Sequence, residues 1–157
     1  MLNYRAENLL PKRLNVDAAN AMAAIHKTAF ATSWTSEDMV SHCQKDFCLG
    51  IGEPLQAFAI IQHVADQAEI LTIVTAPQYR KKGLAKRLLS EIEYELGKAG
   101  VEIIFLEVAE DNPSAIALYK RCGYEQFGKR PAYYKRPNGR IAALTYRKKL
   151  DDRGQIR

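Results

Sequence analysis

The chain has 157 residues, 47% of them hydrophobic, and its 23 Lys and Arg against 18 Asp and Glu give a formal net charge of +5. This length and composition predict one domain with its own core over residues 1–150, followed by a polar tail at 151–157. No apolar run approaches the length of a membrane span and Met1–Arg13 lacks the apolar block of a secretory signal, so we expect a cytoplasmic protein without a membrane partner.

The first thirty residues predict a short strand and a helix. The strand is expected at Tyr4–Leu10, where Pro11 ends it. Asp17 is expected to be the N-cap of a helix that reaches about Phe30. The buried face of this helix is predicted to contain four residues at helical spacing: Ala21, Ala24, Ile25 and Thr28.

A second helix and an antiparallel meander follow. Thr35 and Asp38 have the spacing of a capping box, which predicts a helix that continues through Cys43. Short links separate three apolar segments, and links of this length favour antiparallel pairing of neighbouring strands. The three strands are predicted at Cys48–Ile51, Leu55–Val64 and Ala68–Val74.

The stretch from Ile70 to Leu89 predicts the end of a buried strand, a turn and a long helix. The β-branched run before Thr75 is typical of a strand, and Pro77 cannot continue it. After the turn, apolar residues recur on one helical face, and the helix is expected to end at Gly100. These apolar residues are Leu84, Leu88, Leu89, Ile92 and Leu96.

The start of this long helix is predicted to bind a phosphate group. The first turn of a helix has unsatisfied backbone N–H groups and the positive end of the helix dipole, and Gly83 lets a ligand approach that backbone closely. The alternative interpretation is a basic helix start that contacts only solvent. Four positive charges favour the phosphate: Arg80, Lys81, Lys82 and Lys86.

The second half of the chain predicts a parallel strand, a short helix and a final pair of strands. Val101–Val108 is expected to run parallel to the strand before the long helix, because a helix connects the two. Asn112 and Pro113 are typical of an N-cap and a first helical residue, and Gly123 is expected to close that helix. The last two strands are predicted near Glu125–Tyr134 and Ile141–Lys149.

Two polar side chains lie among apolar neighbours in these elements. Glu107 lies between Leu106 and Val108, and a carboxylate on a largely buried strand is costly unless it is paired or used. A structural salt bridge and a catalytic base are both compatible with this position. Tyr119 lies on the apolar side of its helix, where a tyrosine that only packs in the core is the ordinary alternative to a functional one.

Together, these segments resemble the GNAT acetyltransferase superfamily. Arg80-Lys81-Lys82-Gly83-Leu84-Ala85 is similar to its acetyl-CoA loop, [Q/R]-x-x-G-x-[G/A]. Residues 112–124 are similar to its N-x-x-A-x-x-L-Y-x-x-x-G-[F/Y] pattern. Within the superfamily, the chain most resembles the bacterial ribosomal-protein-alanine N-acetyltransferases, through Ser33-Trp34-Thr35, Leu106-Glu107-Val108 and Tyr133-Tyr134.

The resemblance implies a fold, a co-substrate and a set of site residues. The fold would be α+β in three layers, with a mixed, mostly antiparallel sheet flanked by helices. The enzyme would transfer an acetyl group from acetyl-CoA directly to a primary amine, first of all to the α-amine of a protein N-terminus such as that of a ribosomal protein. Glu107 would accept a proton, and Tyr119 would donate one to the departing CoA sulfur. Acetyl-CoA would contact Ile73, Val74, Thr75, Arg80, Lys81, Lys82, Gly83, Leu84, Ala85, Lys86 and Asn112.

Two other functions stay open on the sequence alone. A small-molecule acetyltransferase acting on a polyamine or an amino-sugar would share the fold but would need an acidic pocket. A non-catalytic module that binds RNA or the ribosome would use the cations of the last two strands, although nucleic acid is the less favoured partner. The acceptor is also open because Arg140-Ile141-Ala142-Ala143 stands where the resembled enzymes usually carry an acidic pair.

No metal site is predicted. The three cysteines form no C-x-x-C pair, and the three histidines share no metal-ligand spacing, so neither set indicates a bound metal. We expect the cysteines to be structural thiols and the histidines to have no part in catalysis. These residues are Cys43, Cys48, Cys122, His26, His42 and His63.

Overall fold

The computed structural model describes residues 9–151, and in this range the chain forms seven strands and four α-helices. The helices are α1 (Ala19–Ala29), α2 (Ser36–Lys45), α3 (Leu84–Lys98) and α4 (Pro113–Arg121). The strands are β1 (Lys12–Arg13), β2 (Phe47–Ile51), β3 (Ala57–Val64), β4 (Gln67–Thr75), β5 (Ile103–Ala109), β6 (Glu125–Arg136) and β7 (Gly139–Lys149). Single 3₁₀ turns at Val16–Ala18 and Pro77–Tyr79 precede α1 and α3.

The strands form one sheet in the order β1-β2-β3-β4-β5-β7-β6. Neighbouring strands are antiparallel except β4 and β5, which run parallel because α3 carries the chain across between them. The predicted α+β class, the β2–β3–β4 meander and the parallel strand after the long helix are therefore confirmed. All five residues predicted for the apolar face of α3 are buried.

Each face of the sheet has its own hydrophobic core. On one face, α3 and α4 contribute Leu88, Ile92 and Tyr119 to a core that includes residues of β2, β3, β4, β5 and β7. On the other face, α1 and α2 contribute Met22 and Met39 to a smaller core. Among the described residues, the buried members of this second core on the sheet belong to β2, β3 and β4 alone. The same face of β5, β6 and β7 is thus left outside both cores.

A β-bulge in β4 changes which core its side chains enter. On β3, Ile60 pairs with Thr72 and the next residue, Ile61, pairs with Ile70. Leu71 is therefore an extra residue without a partner on β3. Before the bulge, Ile70 packs into the core under α3, and after it, Val74 packs into the core under α1. One inserted residue reverses the in–out alternation of a strand, which explains the exchange.

The N-terminal segment starts differently from the prediction. Of the predicted strand Tyr4–Leu10, residues 4–8 lie outside the described residues, and the last two lie in a turn. The prediction of Asp17 as N-cap is wrong, because the Asn15 side chain caps the 3₁₀ turn by accepting a hydrogen bond from the Asp17 N–H at 2.9 Å. Asp17 is therefore in the first turn, where its charge still suits the helix dipole.

The predicted buried face of α1 is also partly wrong. The structure buries Ala19, Met22, Ile25 and His26, whereas the predicted Ala21, Ala24 and Thr28 are exposed. A helix rich in alanine has a weak apolar pattern, since small residues are tolerated on either side. Met22, the largest apolar side chain of α1 and fully buried, fixes the observed face.

Two predicted helix starts are confirmed. Thr35 and Asp38 form a reciprocal capping box, in which the Asp38 N–H donates to Thr35 Oγ1 at 3.2 Å and the Thr35 N–H donates to Asp38 Oδ2 at 2.7 Å. Asn112 caps α4 by accepting a hydrogen bond from the Ala115 N–H at 3.2 Å, and Pro113 is the first helical residue. No helix within residues 9–151 is long and apolar enough to cross a bilayer.

Candidate active site

The pairing of β4 with β5 stops half-way along both strands. It joins Gln67–Ile70 to Ile103–Leu106, and no later pair between these strands occurs within the described part of the chain. Beyond that point β4 stays paired with β3, and β5 with β7. The two strands therefore diverge, and the backbone edges of residues 71–75 and 107–109 that face each other lack a strand partner. The bulge at Leu71 lies where the gap begins, and bulges are common beside active sites.

A groove of about 530 Å³ lies at this gap and has walls from both faces of the sheet. Tyr119 of α4 contributes from the face covered by α3, where Leu106 and Val108 also pack. Glu107 lies between these two apolar residues, so its side chain is on the opposite face. The gap thus connects a tyrosine on one face of the sheet with a carboxylate on the other.

Glu107 is paired with Arg130 of β6 in this groove. Arg130 Nε lies 3.0 Å from Glu107 Oε1, and the glutamate side chain is 20% exposed. Glu69 on β4 and Tyr134 on β6 are near enough to Glu107 for its charge to act on them. Burial, and then this charge, raise the pKa of both groups. The structural salt bridge considered from sequence is therefore present, but it lies at the groove and leaves a second carboxylate oxygen.

Tyr119 is buried, with 5% of its surface exposed, and it packs edge-to-face against Tyr124 at a centroid distance of 5.8 Å. It also lines the groove. Burial raises the pKa of Tyr119 well above its usual range. The hydroxyl therefore keeps its proton at neutral pH and is available as a hydrogen-bond donor.

The basic turn before α3 has the backbone shape of an anion site. Gly83 is the N-cap of α3 and has φ +78°, and Lys81 has φ +62°, so two residues of one short turn are in the left-handed region. In the part of the chain that the structure describes, no side chain caps this helix start. Among residues 9–151, no atom lies within 4 Å of a Cβ added at Gly83, so the space beside this N-cap is open. Such a helix start suits a phosphate.

Two of the cations of this turn contact their own loop, and the other two are exposed to solvent. The Arg80 guanidinium donates from Nε to the Thr75 carbonyl at 3.3 Å, and the Lys82 ammonium lies 5.6 Å from the centre of the Tyr79 ring. These contacts hold both side chains against their own loop. Lys81 and Lys86 are exposed to solvent.

The structure does not bring all the predicted site residues to one surface. Ile73, Glu107, Asn112 and Tyr119 line the groove, whereas the basic turn follows the end of β4 and is not part of its wall. Val74 and Leu84 are buried and pack into the two cores, and Thr75 and Ala85 are half-buried. Asn112 uses Oδ1 as a helix cap, which leaves its amide N–H groups.

Comparison with known proteins decides the family. The sequence profile described as Acetyltransferase (GNAT) family matches residues 19–124. The chain belongs to the GNAT acetyltransferase family. The [ribosomal protein bS18]-alanine N-acetyltransferase of Escherichia coli K12 is 33% identical over 135 residues, which are 83% of this chain and 91% of that protein.

Solved structures agree with this GNAT assignment. The crystal structure of the ribosomal-protein-S18-alanine N-acetyltransferase from Escherichia coli has a TM-score of 0.84 at 30% identity and covers 89% of this chain and 92% of its own. Arabidopsis thaliana NAA60 in complex with acetyl-CoA has a TM-score of 0.79 at 18% identity, with coverage of 90% and 98%. The second likeness concerns the fold alone.

This GNAT acetyltransferase therefore uses acetyl-CoA as its co-substrate. The residues present fit that molecule, because the open N-terminus of α3 suits a pyrophosphate and the unpaired edge of β4 offers backbone groups to the amides of the pantetheine arm. When bound, acetyl-CoA supplies an activated acetyl thioester. The turn from Arg80 to Lys86 would hold the pyrophosphate, and Ile73, Val74 and Thr75 would bind the pantetheine arm.

Sequence reasoning missed several groups around the GNAT groove. Arg130 gave no signal, because it is 23 positions from Glu107 and meets it only through the β5–β7–β6 order. Two further ion pairs join β6 to the loop after β5: Lys129 with Glu110 at 3.1 Å and Arg136 with Asp111 at 2.8 Å. On the opposite side, Phe30 at the end of α1 forms part of the wall.

Proposed function

We propose that this enzyme acetylates the α-amine of a protein N-terminus by direct attack of the amine on the thioester. The observation that carries the proposal is the placement of Glu107 and Tyr119 on opposite faces of the sheet at one strand gap. An amine can then approach from the side of Glu107, while the CoA sulfur departs on the side of Tyr119. Residues 1–150 are proposed to act as one catalytic unit.

In this mechanism Glu107 accepts the proton of the attacking amine. Arg130 engages one carboxylate oxygen and fixes the side chain, which leaves the other oxygen for the amine or for a water that relays the proton. Tyr119 donates a hydrogen bond to the departing sulfur. Because burial raises the pKa of Tyr119, we infer that stabilising the thiolate is a larger part of its role than complete proton transfer.

Direct transfer is supported by the positions of the cysteines. None of the three, Cys43, Cys48 and Cys122, lines the groove. Burial raises the pKa of all three thiols, that of Cys48 to about 12, so thiolate nucleophiles are disfavoured at neutral pH. No acyl-enzyme is therefore part of the proposal.

An N-terminal amine is the favoured acceptor on energetic grounds. Deprotonating an α-amine with a pKa near 8 costs about 1.4 kcal/mol at pH 7, against about 4.6 kcal/mol for a lysine with a pKa near 10.4. The relatives named as bS18-alanine N-acetyltransferases act, by their names, on an alanine of a ribosomal protein. A ribosomal protein as acceptor and the cytoplasm as the place of reaction are parts of the same proposal.

The charges around the groove argue against the two rival functions. A polyamine site would need several free carboxylates, but of the four near the groove only Glu69 lacks an ion pair among the described residues. The other three, Glu107, Glu110 and Asp111, each have a cation of β6 as partner. The same pairs engage three of the cations that an RNA-binding surface would use. They also reduce the repulsion between Arg136 and a basic peptide, because Asp111 binds both Nε and Nη2 of that guanidinium.

Replacing Tyr119 by Phe is expected to lower kcat roughly a hundredfold while leaving acetyl-CoA affinity within about twofold. The ring and its packing stay, and only the hydroxyl donor is lost. Initial-rate kinetics measure kcat, and calorimetric titration measures the affinity for acetyl-CoA. Tyr146→Phe, which removes another buried hydroxyl at a residue that does not line the groove, is the matched control. Equal kcat values for both variants would show that Tyr119 only packs in the core and has no part in catalysis.

The acceptor class is tested with matched peptides. We expect acetylation at the α-amine of a peptide that begins with a small residue, detected by mass spectrometry, and no acetylation of lysine side chains in the same peptide.

The charge of the peptide gives a second test. Lys135 and Arg140 have no ion-pair partner among the described residues, so acidic residues near the peptide N-terminus are expected to raise kcat/KM about fivefold over basic ones at low salt. High salt should shrink this ratio. Acetylation restricted to lysine or to free polyamines would overturn the proposal.

A further inference from the structure

We infer that His26 is a positioning residue, which holds the α1 side of the acceptor groove in place by binding the loop between α1 and α2. This inference rests on the proposed function, since it concerns the same groove. The loop comprises residues 30–35, and its first two residues, Phe30 and Ala31, line the groove together with Ala29 at the end of α1. The other end of the loop leads into Thr35, the cap of α2.

One imidazole contacts both ends of this loop. The His26 ring stacks on Phe30 at a centroid distance of 4.4 Å and on Trp34 at 4.8 Å, with ring planes within 23° and 10° of parallel. The backbone N–H of Trp34 also donates to His26 Nδ1 at 3.1 Å. Because Nδ1 accepts this bond, the ring must be neutral with its proton on Nε2.

The stack continues into α2, which anchors it. Trp34 also packs against His42 at 4.7 Å, and His42 Nδ1 lies 2.7 Å from Asp46 Oδ2 at the end of α2. Four aromatic rings therefore run in series from Phe30 at the groove to the His42–Asp46 pair. His26 is 3% exposed and is the ring in this series that bonds the loop backbone.

The surroundings of His26 favour its neutral form. Burial, and then the nearby His42, lower the pKa of His26 below its usual value of 6.5. On α1 the adjacent charged residue is the exposed Lys27, and on α2 the titratable groups are His42, backed by Asp46, and Asp38. The loop itself, Phe30-Ala31-Thr32-Ser33-Trp34-Thr35, contains no charged side chain.

Protonation of His26 would undo its contact with the loop. Nδ1–H would then face the Trp34 N–H, donor against donor, and a buried cation would lack a hydrogen-bonded carboxylate. The contribution of His26 to stability is thus present above about pH 6.5 and is lost as the pH falls through its lowered pKa. Phe30 is released in the same range, which weakens acceptor binding.

Two variants separate the parts of this contact. His26→Phe keeps a stacking ring but removes the acceptor, and His26→Asn keeps a carbonyl acceptor but removes the ring. At pH 7.5 we expect His26→Phe to raise the acceptor KM about tenfold and His26→Asn to raise it less, with acetyl-CoA affinity and kcat within about twofold. His63→Asn is the control, since the His63 ring hydrogen-bonds the turn carbonyl of Ala65 and does not line the groove.

The pH dependence gives a second readout. Between pH 7.5 and 5.5 protonation of the acceptor amine raises the apparent acceptor KM of both enzymes, so the readout is the difference between them. The KM of the wild type should rise more steeply than that of His26→Asn, which lacks the titrating imidazole. Any amine that the enzyme turns over serves for this comparison. An unchanged KM in His26→Phe at pH 7.5, or an equal loss of acetyl-CoA affinity, would overturn the positioning role.

Fluorescence tests the loop without any acceptor. Trp34 is the sole tryptophan of the chain, so its emission reports this contact directly. We expect an emission change with a midpoint below pH 6.5 that is kept in His42→Gln and lost in His26→Phe. A transition that persists in His26→Phe would refute the inference. A fluorescence result as expected combined with failure of all N-terminal peptides would refute the proposed function alone.

Discussion

Glu107→Gln is expected to lower kcat by roughly 10²- to 10⁴-fold at pH 7, while the Kd of acetyl-CoA stays within about twofold. The amide has nearly the shape of the carboxylate and keeps a carbonyl oxygen for Arg130, so the packing at the groove is preserved. It cannot accept the proton of the acceptor amine. Initial rates at saturating substrates and isothermal calorimetry measure the two quantities.

The matched control for this variant is Glu110→Gln. Glu110 follows three residues later, is also paired with a cation of β6, and does not line the groove. Its replacement should leave kcat within about twofold, because an exposed ion pair contributes little. A folded Glu107→Gln enzyme with wild-type turnover would show that the pair with Arg130 is only structural.

Gly83→Asp is expected to raise the Kd of CoA at least about a hundredfold. The new carboxylate would stand in the open space in front of α3, at the place proposed for the pyrophosphate, and two like charges about 4 Å apart repel by roughly 4 kcal/mol where water is partly excluded. Among the described residues, a Cβ added at this position meets no neighbour within 4 Å, so the fold should survive. Calorimetric titration with CoA and a thermal melt measure binding and folding.

The chain offers a close control at the other end of the same helix. Gly100 has φ +85°, and an added Cβ there also meets nothing within 4 Å. Gly100→Asp therefore imposes a similar backbone strain without a charge at the helix start. Similar melting temperatures for the two variants, with CoA affinity lost in Gly83→Asp alone, is the expected result. Unchanged CoA affinity in folded Gly83→Asp would show that the turn from Arg80 to Lys86 does not bind CoA.

Local patterns made much of this fold predictable. The five leucine and isoleucine positions of α3 are large and regularly spaced, so the sequence indicated the buried face correctly. The capping box at Thr35 and the Asn112-Pro113 pair each involve contacts within four residues, which a sequence shows directly. In α1, by contrast, alanines on both sides left the face ambiguous, and the prediction failed there.

The parts that could not be predicted depend on contacts between distant segments. No residue type marks Leu71 as a bulge, because a bulge exists only relative to the register with β3. Arg130 meets Glu107 only after β7 has inserted between β5 and β6. His26 was expected to have no part in catalysis, and nothing near it in the chain shows that its ring contacts a loop at the groove.

Binding of acetyl-CoA at the gap between β4 and β5, as proposed above, would make the stability of the enzyme depend on metabolism. Within residues 9–151 the backbone groups that face each other across the gap lack a strand partner, and in the proposal acetyl-CoA binds those on β4. A ligand that binds only the folded state stabilises it by RT ln(1 + [L]/Kd), about 2.7 kcal/mol at a hundredfold excess over Kd. A fall in cellular acetyl-CoA would therefore reduce both the supply of acetyl groups and the lifetime of the protein that transfers them.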